Sequence, residues 1–332
     1  MKYVHFIGID VSKLSFDVFI HGTALHKQFS NDREGFGAFL KWLKSTLKKV
    51  KLPDLMICFE HTGLYSLTLS MYLEEIKCPY FMISALQIKR SLGITRGKSD
   101  KIDARRIAEY AYLHRETLSP TLLPSKAIFK LQPLMTLRNR LVRHRAGYKA
   151  TRTEQKRFLP ENELSELFDA YSVMISTLDV EIRKVEQVIK SIIQNDEELN
   201  KTFKLITGIK GVGFLVGTYL IMFTHNFTRF DSWRQFACYA GIAPFEHQSG
   251  SSIRGKTKVS PIANKLIKKL LHLSALSAAH KDKELGCYFK KRVEQGKSKM
   301  STLNIIRNKV LARIFAVAKR KTEYVDFMKY VA

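Results

Sequence analysis

The chain of 332 residues is 45% hydrophobic, with 21 Phe and 13 Tyr, which is enough apolar material for a real core and, by length, for two or three domains. Lys and Arg number 56 against 30 Asp and Glu, and the formal charge of +26 calls for a polyanionic partner, nucleic acid or an anionic membrane surface. Membrane is disfavoured, because the longest apolar run, 205–223, is interrupted by Lys210 and holds four glycines. No charged, apolar and small-residue signal segment opens at Met1, and Cys58, Cys78, Cys238 and Cys287 form no C-x-x-C pair that would indicate zinc or a disulfide framework. The expectation is a reduced, cytoplasmic protein, associated with the nucleoid and not with a membrane.

Residues 3–10 form an apolar strand ending on a carboxylate, Asp10, and 15–21 alternate as a second strand, followed by a short third at 26–29. Asn31-Asp32 caps a helix over 34–47. Pro53 precedes a further apolar strand, 55–59, that also ends on an acid, Glu60. A helix from Thr62-Gly63 to about Ile76, a strand over 80–84, another helix and the basic loop 95–98 follow. Three meandering strands, a helix, then alternating strands and helices is a ribonuclease-H-like order: a mixed sheet with helices on both faces.

In that order Asp10 and Glu60 sit at the carboxyl ends of strands, where open α/β sheets place their sites. Asp100 and Asp103 then open a helix with three-residue spacing, so both carboxylates share one face, a turn apart. An acidic first turn complementing the helix dipole is the structural explanation of that pair, and a strand-end acid is often merely solvated. Four convergent carboxylates repel one another unless they hold hard cations through oxygen. Two magnesium ions about 4 Å apart, clamping a phosphodiester, fit this inventory. Lys98, Lys101, Arg105 and Arg106 surround the acidic pair and are the groups expected beside a phosphate backbone.

From about Leu118 the texture changes. Pro120, Pro124 and Pro133 punctuate a linker, and a long helical pattern follows in which Leu134, Leu137 and Leu141 would line the buried face. The same segment carries Arg138, Arg140, Arg143, Arg145, Lys149, Arg152, Lys156 and Arg157 against a single acid, Glu154, which favours a DNA- or RNA-facing helix over a merely solvated one. Residues 164–193 repeat apolar positions at helical spacing, as a helical hairpin, a coiled-coil arm of a dimer or a helix packed on its own domain would. Residues 199–280 read as a second, mostly helical unit. Within it, 206–213 resembles a helix-hairpin-helix, where Gly211 and Gly213 let the backbone approach DNA phosphates; tight helix packing is the competing explanation.

Residues 250–257 satisfy the Walker A pattern, but 240–244 before them read as a helix end or turn and not as a buried strand, and Pro261 would break the helix that must follow, so an ATP site is set aside. The stretch 248–256 reads instead as a polar, flexible loop presenting serine hydroxyls beside Arg254 and Lys256, cations able to stabilise a phosphorane. His247 is the nearby histidine.

Gly8-Ile9-Asp10-Val11-Ser12-Lys13, Glu60-x-Thr62-Gly63-x-Tyr65, Lys98-Ser99-Asp100-x-x-Asp103-Ala104 and Ala240-Gly241-x-x-Pro244 with the later Ser249-Gly250 resemble the insertion-sequence-110 family of DEDD transposases, whose relatives include the Piv-type DNA invertases. The resemblance runs from about residue 3 to 280, with its motifs in order. It implies a RuvC-like domain over 1–118 whose Asp10, Glu60, Asp100 and Asp103 bind magnesium, a helical region over 119–198, and a transposase domain over 199–332 whose nucleophile is Ser249, joined covalently to DNA. It also implies a homodimer or homotetramer acting on donor and target DNA under a bridge RNA, with the basic helix suited to that RNA. Ala263 departs from the glycine that many members carry after the serine loop. An invertase of the same family, or a RuvC-like nuclease using water, would carry much the same acids.

Overall fold

The computed structural model describes the chain except for residues 1–2, 48–49, 92, 94–96, 98, 250–252 and 327–332, and at 247–249, 253–254 and 256 it describes the backbone alone. The chain divides into two compact units, Met1–Leu123 and Pro124–Ala332. The segment 119–198 is thus split between them, nearly all of it falling in the second.

The first unit is a five-stranded mixed sheet in the order β3-β2-β1-β4-β5. β1 (His5–Val11) pairs antiparallel with β2 (Ser15–Ile20), which pairs antiparallel with β3 (His26–Ser30). β4 (Leu55–Glu60) joins the other side of β1 in parallel, and β5 (Tyr80–Ile83) continues in parallel beyond it. Period-two alternation assigns the faces. Ile7, Ile9 and Val11, with Phe16, Val18, Ile57 and Phe59, point to one face and pack with Phe36, Phe39 and Leu43 of α1 (Arg33–Thr46) and Leu69 and Leu73 of α2 (Leu64–Glu75). Phe6, Met56, Cys58 and Phe81 point to the other and meet Ile88 of α3 (Ala85–Ser91) and Ile107 and Tyr110 of α4 (Asp100–Leu113). Fully burying one such side chain contributes about 1.5–3 kcal/mol, so each face is anchored by several.

One glycine sets how closely α4 approaches the sheet. A Cβ on Gly8 would lie 2.1 Å from the Ala104 carbonyl oxygen and 2.2 Å from the Ala108 nitrogen. With Gly8 in β1 and Ala104 and Ala108 in α4, helix backbone rests directly on strand backbone.

The second unit is mostly helical. α5 (Lys126–Gln155) and α6 (Ser165–Gln194) form a long hairpin. Ile128, Leu131 and Met135 at the start of α5 and Val185, Ile189 and Ile193 at the end of α6 join the same core as the later helices. Two expectations change here. Pro133 lies inside α5 rather than in a linker, because Leu131 and Met135 on either side of it are buried and hold the helix together across the lost hydrogen bond. Leu137, Met174 and Val188 are exposed, and Ile128, Leu131 and Phe168 take the buried places.

α7 (Glu197–Thr207), α8 (Phe214–Thr224) and α9 (Trp233–Tyr239) follow, then a two-stranded hairpin of β6 (Pro244–Ser249) and β7 (Ile253–Val259), and α10 (Lys265–Lys281), α11 (Lys283–Glu294) and α12 (Lys299–Arg320). α8 is apolar all round and buried on most sides, as a central core helix must be. Among the described residues no helix is long and apolar enough to cross a membrane. The stretch 248–256 is not simply a loop: Gln248 and Ser249 pair with Arg254 and Ile253, leaving 250–252 as the connection. β-Branched Ile253, Thr257 and Val259 favour the strand. β6 replaces the helix end or turn expected before residue 250, but a strand at Lys256 takes the place of the helix that a Walker A motif requires.

Candidate active site

The even-numbered residues of β1 face α4, so Asp10 emerges two residues past Gly8 beside the first turn of that helix. In β4 the same parity brings Glu60 to the same face, one position beyond the paired Ile9 and Phe59. Asp100 and Asp103 occupy the first turn of α4, started by Ser99, whose hydroxyl accepts from the Ile102 amide at 3.3 Å. Asp10, Glu60 and the Asp100–Asp103 pair are far apart in sequence; the strand register and Gly8 gather them.

Their electrostatics report the convergence. The Asp10 carboxyl is pushed up to about 6, first by its own burial and then by the negative charges of Asp100, Asp103, Glu60 and Asp17. Asp17 is an acid that the sequence reading missed. It lies directly across from Asp10 in the β1–β2 register, only 5% exposed, and accepts hydrogen bonds from His26 Nε2 at 2.6 Å and Gln28 Nε2 at 2.9 Å. The signal was present in the alternation of β2, which turns Asp17 and Phe19 to the same side, but it is visible only once the register is known.

Asp103 is engaged by Arg106 at 2.9 Å, and Arg106 also donates to the Gly97 carbonyl at 3.1 Å. No three acidic, histidine or cysteine side chains among the described residues stand close enough to hold a metal ion as they are placed. The donor chemistry nevertheless fits a hard divalent cation: four carboxylates of one sign, one of them pushed up by its burial and by the others, and a buried Thr62 hydroxyl two residues past Glu60 with no hydrogen-bond partner.

The cations fall into groups. Arg105 is exposed on α4, while Lys98 lies outside the described residues. On α5, Arg138 donates to Glu186 at 2.8 Å, and Arg145 pairs with Asp179, so both fasten α5 to α6. Arg140, Arg143 and Lys149 are exposed, and Arg152 is half-buried. Gly211 has φ +93°, and a Cβ there would lie 2.5 Å from the Ser274 carbonyl oxygen, so its missing side chain serves the packing of α10. Gly213 is the N-cap of α8, with open space around its Cβ position. Ser249 ends β6, and Arg254 and Lys256 lie in β7; their side chains fall outside the described residues.

Two family models match the chain. The IS110-type DEDD model, described as "Transposase", covers residues 7–156, and the "Transposase IS116/IS110/IS902 family" model covers residues 203–290. The chain is 28% identical over 331 residues to the pilin gene-inverting protein of Moraxella bovis, spanning 96% of this chain and 97% of that one, and the Moraxella lacunata protein of the same name matches equally. An uncharacterized 43.6 kDa protein of insertion element IS110 from Streptomyces coelicolor is 27% identical over 120 residues, covering 36% of this chain and 29% of its own. The first model takes in the whole acidic cluster and the second takes in the serine hairpin, and by this shared kinship of both units the chain belongs to the IS110 family of transposases.

Proposed function

We propose that this transposase cuts and rejoins DNA with Asp10, Glu60, Asp100 and Asp103 as the ligands of two magnesium ions and with Ser249 as the nucleophile. The observation that carries the reading is the Asp10 carboxyl, pushed up to about 6 by its burial and by the nearby charges of Asp100 and Asp103 of α4 and Glu60 of β4. Carboxylates gathered at such a cost to folding are explained by a divalent cation that each of them helps to hold. When bound, magnesium neutralises the charge that grows on the phosphate oxygens. The strand order, with the second strand antiparallel and α4 laid across the first, supports a RuvC-like, ribonuclease-H-like reading of the first unit.

In the covalent step the Ser249 oxygen attacks phosphorus and gives up its proton. One P–O bond of the phosphodiester breaks as the Ser–O–P bond forms, and the leaving DNA oxygen gains a proton. The exchange conserves phosphodiester energy and reverses when a DNA hydroxyl attacks the adduct. Arg254 and Lys256, across the hairpin, supply positive charge to the phosphorane. The exposed Arg140, Arg143 and Lys149 suit a structured guide RNA.

A second reading, inversion of a DNA segment instead of insertion, is favoured by the pilin gene-inverting proteins, which match this chain over nearly its whole length. Both readings share the strand chemistry. In magnesium, with the RNA that co-purifies, Asp10→Asn and Glu60→Gln are expected to bind element-junction DNA as the parent does and to cut it at least 100-fold more slowly; undiminished cutting by Asp10→Asn would overturn the assignment.

A further inference from the structure

α4 presents two kinds of charge. Asp100 and Asp103 head the side that lies on the sheet, whereas Lys101 and Arg105, one turn apart, stand on the adjoining flank. That flank borders a cavity of about 590 Å³ whose far wall is Phe19 of β2 and the β2–β3 turn, His21 included. The volume is in the range of about 300–1,000 Å³ typical of small-ligand sites, room for one nucleotide.

The lining is chemically pointed. Lys101 and Arg105 are both exposed and make no ion pair among the described residues, although Glu109 follows one turn after Arg105. His21 stacks on Tyr112 with ring centroids 4.3 Å apart and planes 15° apart. Burial holds the His21 imidazole below its ordinary value, against the pull of Glu109, so the ring offers a neutral aromatic wall. Cations on one side and aromatic rings on the other make up the usual platform for a single nucleic-acid strand. The groove also starts where the acids end: Lys101 follows Asp100, and the ridge from Lys101 to Glu109 runs about 12 Å down the helix, away from the first turn.

We propose that this groove carries the DNA strand on which the acids act, with Lys101 and Arg105 each engaging one backbone phosphate next to the scissile one, and the cavity receiving a nucleotide of the same strand. The inference rests on the reading of the four acids as catalytic. A guide RNA is the competing occupant. DNA is favoured because the groove leads out of the acidic cluster, and whatever lies there is continuous with the strand being cut.

The test compares the full chain with Lys101→Gln/Arg105→Gln, measuring binding of a labelled single-stranded DNA oligonucleotide in chelator, where no cutting occurs, across a salt series. Two lost phosphate contacts are expected to make the slope of log K against log salt shallower by about 1.4, with several-fold weaker binding at low salt. The charge-preserving pair Lys101→Arg/Arg105→Lys is expected to keep the parental slope. So is Lys41→Gln/Lys44→Gln, which removes two exposed cations from α1 on the opposite face of the sheet. An unchanged slope in the first variant would overturn the proposal, as would a loss seen with structured RNA and not with DNA. The catalytic reading fails by a different readout, cutting by Asp10→Asn, so the two failures are separable.

Discussion

Asp10 sits where strand parity and a missing side chain at Gly8 put it, and both features are open to test. Its carboxyl titrates at about 6 in the folded chain against 3.8 ordinarily. Between those values the folded state keeps a proton that the unfolded chain has released, so in chelator Asp10 lets stability fall as pH rises through the window and adds no further slope above it. Denaturant titrations at several pH values should show that decline in the parent and lose it in Asp10→Asn; identical pH profiles would refute the clustering. Magnesium binds the ionised form and should therefore raise the melting temperature at pH 7 and do little near pH 4.5. For Gly8→Ala, the new Cβ would meet the backbone of α4 at 2.1 Å, a contact no rotamer relieves. A loss of about 3 kcal/mol or more is expected by chemical denaturation, at the upper end of overpacking costs, with metal binding lost as well. The four acids were legible in the sequence because each stands at the end of an apolar strand or the start of a helix. Asp17 was not, since an acid in the middle of an alternating strand reveals its neighbour only through register.

Among the elements, the sheet was legible and the second unit was legible only in part. β1, β2 and β4 alternate or run apolar between clear turn residues, so their order and faces follow from local pattern. Pro133 misled because a proline's effect depends on what surrounds it. Inside α5 the tertiary burial of Ile128, Leu131 and Met135 outweighs a local penalty of about 3 kcal/mol. Pro133→Ala should accordingly stabilise the chain, by up to about 3 kcal/mol in denaturant titrations, without altering helix content by circular dichroism; destabilisation would mean that the ring itself is needed for packing. The β6–β7 hairpin was hidden for another reason. Its strands are mostly polar, and their pairing carries little hydrophobic alternation for a sequence pattern to detect. Arg138 and Arg145 show the same limit: basic residues on a helix read as a nucleic-acid face until Glu186 and Asp179 of α6 appear beside them.

At the scale of the whole molecule, a charge of +26 and two transposase family models, over residues 7–156 and 203–290, describe a protein that acts on DNA. The acids lie in one unit and the serine hairpin in the other, so the proposed strand-transfer reaction needs both. The most direct measurement incubates the purified protein and its co-purifying RNA with magnesium and labelled element-junction DNA, then looks for a covalent protein–DNA adduct on a denaturing gel. An adduct is expected that disappears in Ser249→Ala and equally in Asp10→Ala, while both variants still bind the DNA. Cutting without an adduct, persisting in Ser249→Ala, would contradict that expectation and leave a nuclease that uses water.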